Sequence, residues 1–377
     1  MATEMELALR GNVDSFSLDA IEGWAFDEAA PERAVQVGLF EGDRQLLTVA
    51  AAELRADLNA AGIGDGRHAF RAPLPESVFD GRSHRIHIRF VDTGDEIANS
   101  PCEIPPITSL VHDFKLDPHN MDTVLAGGRV AAFKFLAVDV NDTCNAACRY
   151  CPNVRSPRRL ALEDFERFLA GQVQAVGTFQ FGCGQEPTLE PALVEFFRTL
   201  RRSATRPSII RLITNGVLLD CHDASAMGDC GLSTLVLSLD SARPATNDWL
   251  RPGAPLDLVV ENLRAFRRSC PDVGVELSIT VTSRNIGELL DLVDFGQRLG
   301  VGAFVFREIT DHSGGVARQR DFAEVFTQLA LRDGEFEEMQ RRIVAARGSA
   351  SCQFAPRARI QEWTRSAAAG QAEIAGE

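Results

Sequence analysis

Cys144, Cys148 and Cys151 lie within Asp142-Thr-Cys-Asn-Ala-Ala-Cys-Arg-Tyr-Cys-Pro152, a CxxxCxxC triplet just after an apolar run that ends at Val140. Three thiolates on one short loop can hold three corners of a [4Fe-4S] cluster. The loop offers no fourth cysteine, so one iron would stay open to a small molecule, whereas an electron-transfer cluster normally takes four protein thiolates. The open corner points to chemistry at the cluster. Two other readings stand beside this one. A structural zinc site wants four ligands, usually as two separated pairs, and no second pair is present in the chain. Three unligated thiols would concentrate oxidisable groups on one loop without a use.

Other chemistry-bearing residues follow at strand ends. Gly182-Cys-Gly-Gln-Glu-Pro187 comes after a second apolar strand, Thr214-Asn-Gly216 after a third and Ser238-Leu-Asp240 after a fourth, with Thr280 and Thr282 near the end of a fifth. Read alone, Gly-x-Glu-Pro is a turn before a helix, and Asn215 is a turn residue whose amide tolerates left-handed backbone. Arg251 reads equally well as an ordinary salt bridge, and Arg155, Arg158 and Arg159 as charges of a solvated loop. Cys183 falls near the strand ends as a small buried thiol. Cys102, Cys221, Cys230, Cys270 and Cys352 are dispersed, so the sequence predicts one cluster.

The elements that must hold these residues are legible from about Val130. Apolar strands of about six residues alternate with amphipathic segments, the signature of βα units around a parallel sheet. The strands are expected at Phe133 to Val140, Thr178 to Gly182, Ile209 to Ile213, Thr234 to Leu239, Val275 to Val281 and Ala303 to Phe306. The helices are expected at Leu162 to Ala175, Ala192 to Arg202, Leu258 to Arg268 and Ile286 to Leu299. In such a fold functional groups gather at the C-terminal ends of the strands, which is where the cysteine loop and the Glu186 stretch fall.

Before residue 110 the pattern is that of half-buried strands. Val35 to Phe40 and His84 to Val91 alternate apolar and polar residues, and Gly42, Asp43, Gly64, Asp65, Gly66, Asp80 and Gly81 supply turns. This predicts a small antiparallel sandwich or barrel over 1–108, with Trp24 a core aromatic. His68, His84 and His87 read as solvated strand faces or turn partners. His84 and His87, three apart, fall on opposite faces of a strand. A linker is expected over 109–130, a core over 131–316, and a final helix from Asp321 to Val344 followed by a frayed tail within 317–377.

The triplet resembles the radical SAM superfamily, with Tyr150 at the usually aromatic position before the third cysteine. Gly182-Cys-Gly-Gln-Glu-Pro187 is similar to that family's glycine-glycine-glutamate-proline motif, with Gln185 in place of the second glycine, and Thr214-Asn-Gly216 to its threonine-asparagine-glycine turn. The resemblance implies a partial (βα)6 TIM-like barrel of the α/β class. It implies cluster ligation by Cys144, Cys148 and Cys151, and S-adenosylmethionine (SAM) contacts from Tyr150, Gly182, Gly184, Glu186, Asn215, Ser238, Asp240 and Thr280. It further implies reductive cleavage of SAM to methionine and a 5′-deoxyadenosyl radical that takes hydrogen from a substrate. A reducing donor such as flavodoxin or ferredoxin is the implied partner. No catalytic residue beyond the cofactors is assigned.

The first quarter of the chain resembles a β-rich accessory module attached to bacterial glycosyltransferases. Gly23-Trp-Ala-Phe-Asp27, Arg55-Ala-Asp-Leu58, Gly62-Ile-Gly-Asp-Gly-Arg-His68 and Leu74-Pro75 carry that resemblance. It implies a glycan, nucleotide-sugar or cell-envelope substrate recruited by this module. A peptide or protein substrate is the alternative, and a non-catalytic scaffold with structural zinc the competing class.

Composition bounds the remainder. With 377 residues, 45% apolar and 24% charged, the chain is expected to bury a sizeable core. A net charge of −14 argues against a nonspecific grip on nucleic acid or anionic membrane. Lys115 and Lys134 are its only lysines, a bias read as coding composition. The acidic start Met1-Ala-Thr-Glu-Met-Glu is unlike a signal peptide, and no apolar run approaches a bilayer span. A reducing cytoplasm is the expected location.

Overall fold

The computed structural model describes residues 8–205, 207–311, 322–346, 348 and 350–357. They form two compact units. One holds the described part up to Val111 with Val130–Lys134 and Gln174–Gly177; the other holds the rest.

In the first unit, β1 (Leu9–Phe16), β2 (Ala20–Asp27), β3 (Val35–Glu41) and β4 (Arg44–Ala51) are followed by the short helix α1 (Ala56–Ala60). Strands β5 (Ala69–Pro73), β6 (His84–Phe90) and β7 (Cys102–Ile104) complete it. The strands make two antiparallel sheets, ordered β1-β2-β5 and β4-β3-β6-β7. Period-two patterning explains the result, because Val35, Val37 and Leu39 of one sheet share a buried cluster with Ile21, Ala25, Phe70 and Ala72 of the other. The expected sandwich is therefore present.

Two expectations for this unit change. Trp24 is only partly buried, because Ile21 and Ala25 point to the core instead. His68 and His84 are buried rather than solvated: His68 packs edge-on against Phe26, and His84 sits between Glu41 and Asp80.

Apart from Leu110–Val111, Ala131–Lys134 and Gln174–Gly177, which belong to the first unit, the second unit opens with β8 (Leu110–Leu116), α2 (Met121–Gly127), β9 (Ala131–Val138), α3 (Leu162–Gly171), β10 (Val173–Phe181) and α4 (Leu193–Arg202). It continues through β11 (Ile209–Thr214), α5 (Ala224–Asp229), β12 (Leu232–Ser238), α6 (Pro244–Leu250) and α7 (Leu256–Ser269). Then come β13 (Gly274–Val281), α8 (Leu289–Arg298), β14 (Ala303–Glu308), α9 (Phe322–Leu329), α10 (Glu335–Ala346) and β15 (Ser351–Ala355). Strands β8 to β15 form one eight-stranded sheet in sequence order, with parallel pairing from β10 through β15. This is a TIM-like partial barrel.

Helices cover one face of the sheet. In α7, Leu256, Val259, Val260, Leu263 and Phe266 recur at helical spacing and are all buried. Phe165, Phe179, Phe181, Phe196 and Phe197 pack together beneath α3 and α4. The other face is polar, carrying Gln180, Arg211, Glu276, Ser278 and Arg307.

The core has more elements than expected. Within the predicted linker, β8 buries Val111, Phe114 and Leu116, and α2 buries Met121 and Val124. The helix expected to run to Ala175 ends at Gly171, because Val173 already begins β10. The single final helix is two helices broken by Asp333-Gly334, where Gly334 has a φ of +82°. Strand β15 then pairs with β14. The predicted frayed tail and the acidic start lie outside the described residues.

Candidate active site around the three-thiol loop

The cysteine loop leaves the C-terminal end of β9 and is closed at its base by backbone bonds. Leu160 N–H donates to Val140 O (2.9 Å), Asp142 N–H to Arg158 O (3.0 Å) and Ser156 N–H to Asp142 O (2.8 Å). Inside the loop, Cys151 N–H reaches Cys148 O at 3.1 Å, a tight turn between the second and third cysteines. The loop also rests on the segment after α6, through Ala147 N–H to Pro252 O (2.6 Å) and Arg149 N–H to Leu250 O (3.0 Å). Gly253 permits this approach: its φ is +92°, and a Cβ there would stand 2.7 Å from Asn145 O. The three thiols line one cavity of about 230 Å³ together with Tyr150, Asn153, Cys183, Gly184, Gln185, Glu186, Asn215, Ser238 and Arg251. Burial pushes the Cys144 and Cys148 thiols above their ordinary range. Ligation to a metal deprotonates a thiol outright and reverses that preference.

Strand ends are cross-braced behind this wall. Glu186 is 2% exposed and its carboxylate is heavily used. Oε1 accepts from Thr188 N–H (3.2 Å), Thr188 Oγ1 (2.6 Å) and Thr214 Oγ1 (2.7 Å), and Oε2 accepts from Asn215 N–H at 2.7 Å. Burial pushes its pKa up. Its backbone is tied to the cysteine loop, with Glu186 N–H to Thr143 O at 2.9 Å and Asn141 Nδ2 to Glu186 O at 3.0 Å. Asn215 Nδ2 donates to Asn145 Oδ1 at 2.7 Å and lies 3.8 Å from the Cys144 sulfur.

A second set of groups meets at β12. Tyr150 donates its hydroxyl to Asp240, and Arg251 donates to both, its contact with Asp240 being 3.2 Å. Asp240 is fully buried and also accepts from Thr280 N–H at 2.8 Å. Burial pushes the Tyr150 phenol far up, so it stays protonated.

Of the residues expected to touch SAM, Tyr150, Gly184, Glu186, Asn215 and Ser238 line the cavity with the three cysteines; Gly182, Asp240 and Thr280 do not. Gly182 has a φ of +81°, and a Cβ there would stand 2.9 Å from Ile213 O, so its place is set by packing and backbone. Gly184 donates its N–H to Asp139, and its carbonyl accepts from Asn153 Nδ2. Cys183 also lines the cavity, and burial and Asp139 push its thiol up to about 12. Arg159 pairs with Glu190 at 2.6 Å, while Arg155 donates to Ala146 O inside the loop.

Sequence reasoning missed Asp139 and Lys115. Asp139 takes Cys183 N–H (2.7 Å) and Lys115 Nζ (2.9 Å), fixing the turn after β10. The signal was an acidic residue inside the apolar run Ala137-Val-Asp-Val140.

The three thiols that line the cavity are the donor type an iron-sulfur cluster takes. A cluster spreads its thiolates over different irons. Two buried polar atoms of the wall, Arg251 Nε and Gln185 Oε1, also have no hydrogen-bond partner. They offer a donor and an acceptor to a ligand.

Taken together, the parallel partial barrel and the thiols on the loop between β9 and α3 define a cofactor-binding α/β protein. Residues 138–296 match the family model described as "Radical SAM superfamily", so the chain carries a domain of that superfamily. It is 30% identical to GTP 3′,8-cyclase of Peptoclostridium acidaminophilum over 149 residues, 38% of this chain and 45% of that protein. It is 24% identical to mycofactocin maturase MftC of Mycobacterium tuberculosis (strain ATCC 25618 / H37Rv) over 169 residues, 44% of this chain and 42% of that protein. The chain thus spans about half the length of these curated relatives or less. Among solved structures, Streptococcus suis SuiB bound to precursor peptide SuiA aligns at 18% identity over 63% of this chain and 52% of that one, with a TM-score of 0.44.

Proposed function

We propose that this chain is a radical SAM enzyme with one [4Fe-4S] cluster on Cys144, Cys148 and Cys151. The observation that carries the reading is that three thiols of one loop share a cavity with Glu186, Asn215 and Ser238 from three successive strand ends. When bound and reduced, the cluster and SAM supply a 5′-deoxyadenosyl radical that abstracts hydrogen from a substrate. The protein's own share is to position the reactants and to exclude water. Glu186 ties the Thr214-Asn215 turn by two hydrogen bonds, bracing one side of the cavity. In this reading the unpartnered Arg251 Nε and Gln185 Oε1 would serve the carboxylate and ammonium of SAM. Tyr150, its hydroxyl held by Asp240 and Arg251, would pack its ring near the adenine.

The substrate reading favoured by the N-terminal sandwich is a glycan, nucleotide-sugar or other cell-envelope molecule recruited by that unit. A peptide or protein substrate is the second reading, supported by the similarity to a mycofactocin maturase. A flavodoxin- or ferredoxin-like reductant in the cytoplasm would serve either. Among the described residues, no helix is long and apolar enough to cross a membrane.

Anaerobic reconstitution tests the core of this reading. It should give a [4Fe-4S] absorption spectrum, and reductant plus SAM should give 5′-deoxyadenosine. Cys148→Ala should lose both signals. Stoichiometric zinc without iron or sulfide, and no SAM cleavage, would instead mark a scaffold.

A further inference from the structure

Four cations stand on or beside the polar face of the parallel sheet, and three have a carboxylate. Lys115 lies 2.9 Å from Asp139, Arg211 2.7 Å from Glu276 and Arg251 3.2 Å from Asp240. Arg307 has no such ion pair among the described residues. Among the described residues its one side-chain hydrogen bond runs from Nη1 to Ser278 Oγ on the neighbouring strand, at 2.6 Å. In the β13–β14 register Thr280 is opposite Arg307 and Ser278 opposite Val305. Alternation therefore puts Ser278, Thr280 and Arg307 on one face.

The nearby acids are already engaged. Glu276 serves Arg211, and Asp139 serves Lys115 and the Cys183 and Gly184 amides. Cys183, with its thiol pushed up to about 12, brings no counter-charge. Burial lowers the Arg307 pKa and the charge of Glu276, already paired with Arg211, offsets that only in part, the mark of a cation taken partly out of water. Holding such a group without a carboxylate in hydrogen-bond contact is costly. Proteins keep local costs of this kind where a ligand relieves them. Arg307 is also next to last in β14, so it lies toward the same strand ends as the thiol cavity.

We propose that Arg307, braced by Ser278, binds an oxyanion of the substrate, a carboxylate or a phosphate. The planar guanidinium matches such a group with two parallel hydrogen bonds. Ser278, accepting from Arg307, still has its hydroxyl proton to donate. The assignment to the substrate rests on the strand-end cavity being the active site.

Two measurements on the full chain test it, and neither needs SAM turnover. The first compares Arg307→Met with Arg211→Met in thermal unfolding without added oxyanion. Arg307→Met should leave the midpoint unchanged or raise it, while Arg211→Met should lower it, because only the latter strands a carboxylate. An equal fall in both variants would make Arg307 a structural cation and overturn the proposal. The second titrates sodium phosphate and sodium acetate against sodium chloride at matched ionic strength. One oxyanion should stabilise the unaltered chain beyond chloride, with about tenfold weaker apparent affinity in Arg307→Met; phosphate or acetate identifies which oxyanion the site takes. No gain over chloride, or an equal gain in the variant, would overturn it. Absence of 5′-deoxyadenosine from the unaltered chain would instead defeat the radical SAM reading and leave the anion result standing.

Discussion

The sandwich and the parallel sheet dispose of apolar surface in opposite ways. In the sandwich, both sheets turn aliphatic faces inward: Ile21, Val37, Ile88 and Ile104 share one dry core. In the parallel sheet only the helix-covered side is dry, and the other carries Arg211, Glu276, Ser278 and Arg307. A dry interior gives stability and little chemistry. A polar interior must satisfy each charge locally, and what it leaves unsatisfied is where ligands belong. The comparison predicts that the costliest single change lies on the dry side of the parallel sheet. Phe197, fully buried and with its ring 4.3 Å from that of Phe181, should lose about 3–5 kcal/mol of stability on change to Ala. Chemical denaturation of the full chain measures it. A loss no larger than that of a polar-face variant would erase the distinction between the two sides.

On the polar side the expected effect is smaller. Arg211 donates to Glu276 and, through Nε, to Gln180 Oε1 at 3.3 Å, with its side chain about a fifth exposed. Because water screens the pair on one side, Arg211→Met should cost about 1–2 kcal/mol. The control is Arg211→Met combined with Glu276→Leu, which removes the stranded carboxylate and should recover most of the loss. Without recovery, the ion pair would not be what holds this face.

How much of this was legible follows the same physics. The βα repeat could be read because each strand is an apolar run and each helix an amphipathic one. The cysteine loop and Glu186 could be read because they punctuate strand ends. Strand β8 escaped because its buried residues, Val111, Phe114 and Leu116, do not alternate strictly and follow a proline-rich stretch. Strand β15 is only Ser351-Cys-Gln-Phe-Ala355, too short to stand out from a turn. Asp240 looked like a cavity residue because it ends a strand. In the fold it is spent on Tyr150, Arg251 and Thr280, partners up to 90 residues away in sequence. Long-range pairing of this kind leaves no local pattern.

The smallest predicted effect lies in the sandwich and depends on pH. His84 is 5% exposed, with Nδ1 2.6 Å from Glu41 and Nε2 2.9 Å from Asp80. Burial alone would disfavour the imidazolium, but the bonds to Asp80 and Glu41 outweigh it and raise the pKa above the usual 6.5. A raised folded-state value means the native chain holds the proton more tightly than the unfolded one. The stabilisation is complete below the unfolded pKa and fades as pH rises through the folded one. Unfolding midpoints of the full chain across about pH 6–8 should therefore fall more steeply than those of His84→Gln, which keeps a donor but cannot titrate. Parallel curves would mean that His84 is a neutral packing residue. The sandwich would then match its dry interior with an electrostatically silent rim, and the contrast with the parallel sheet would be sharper still.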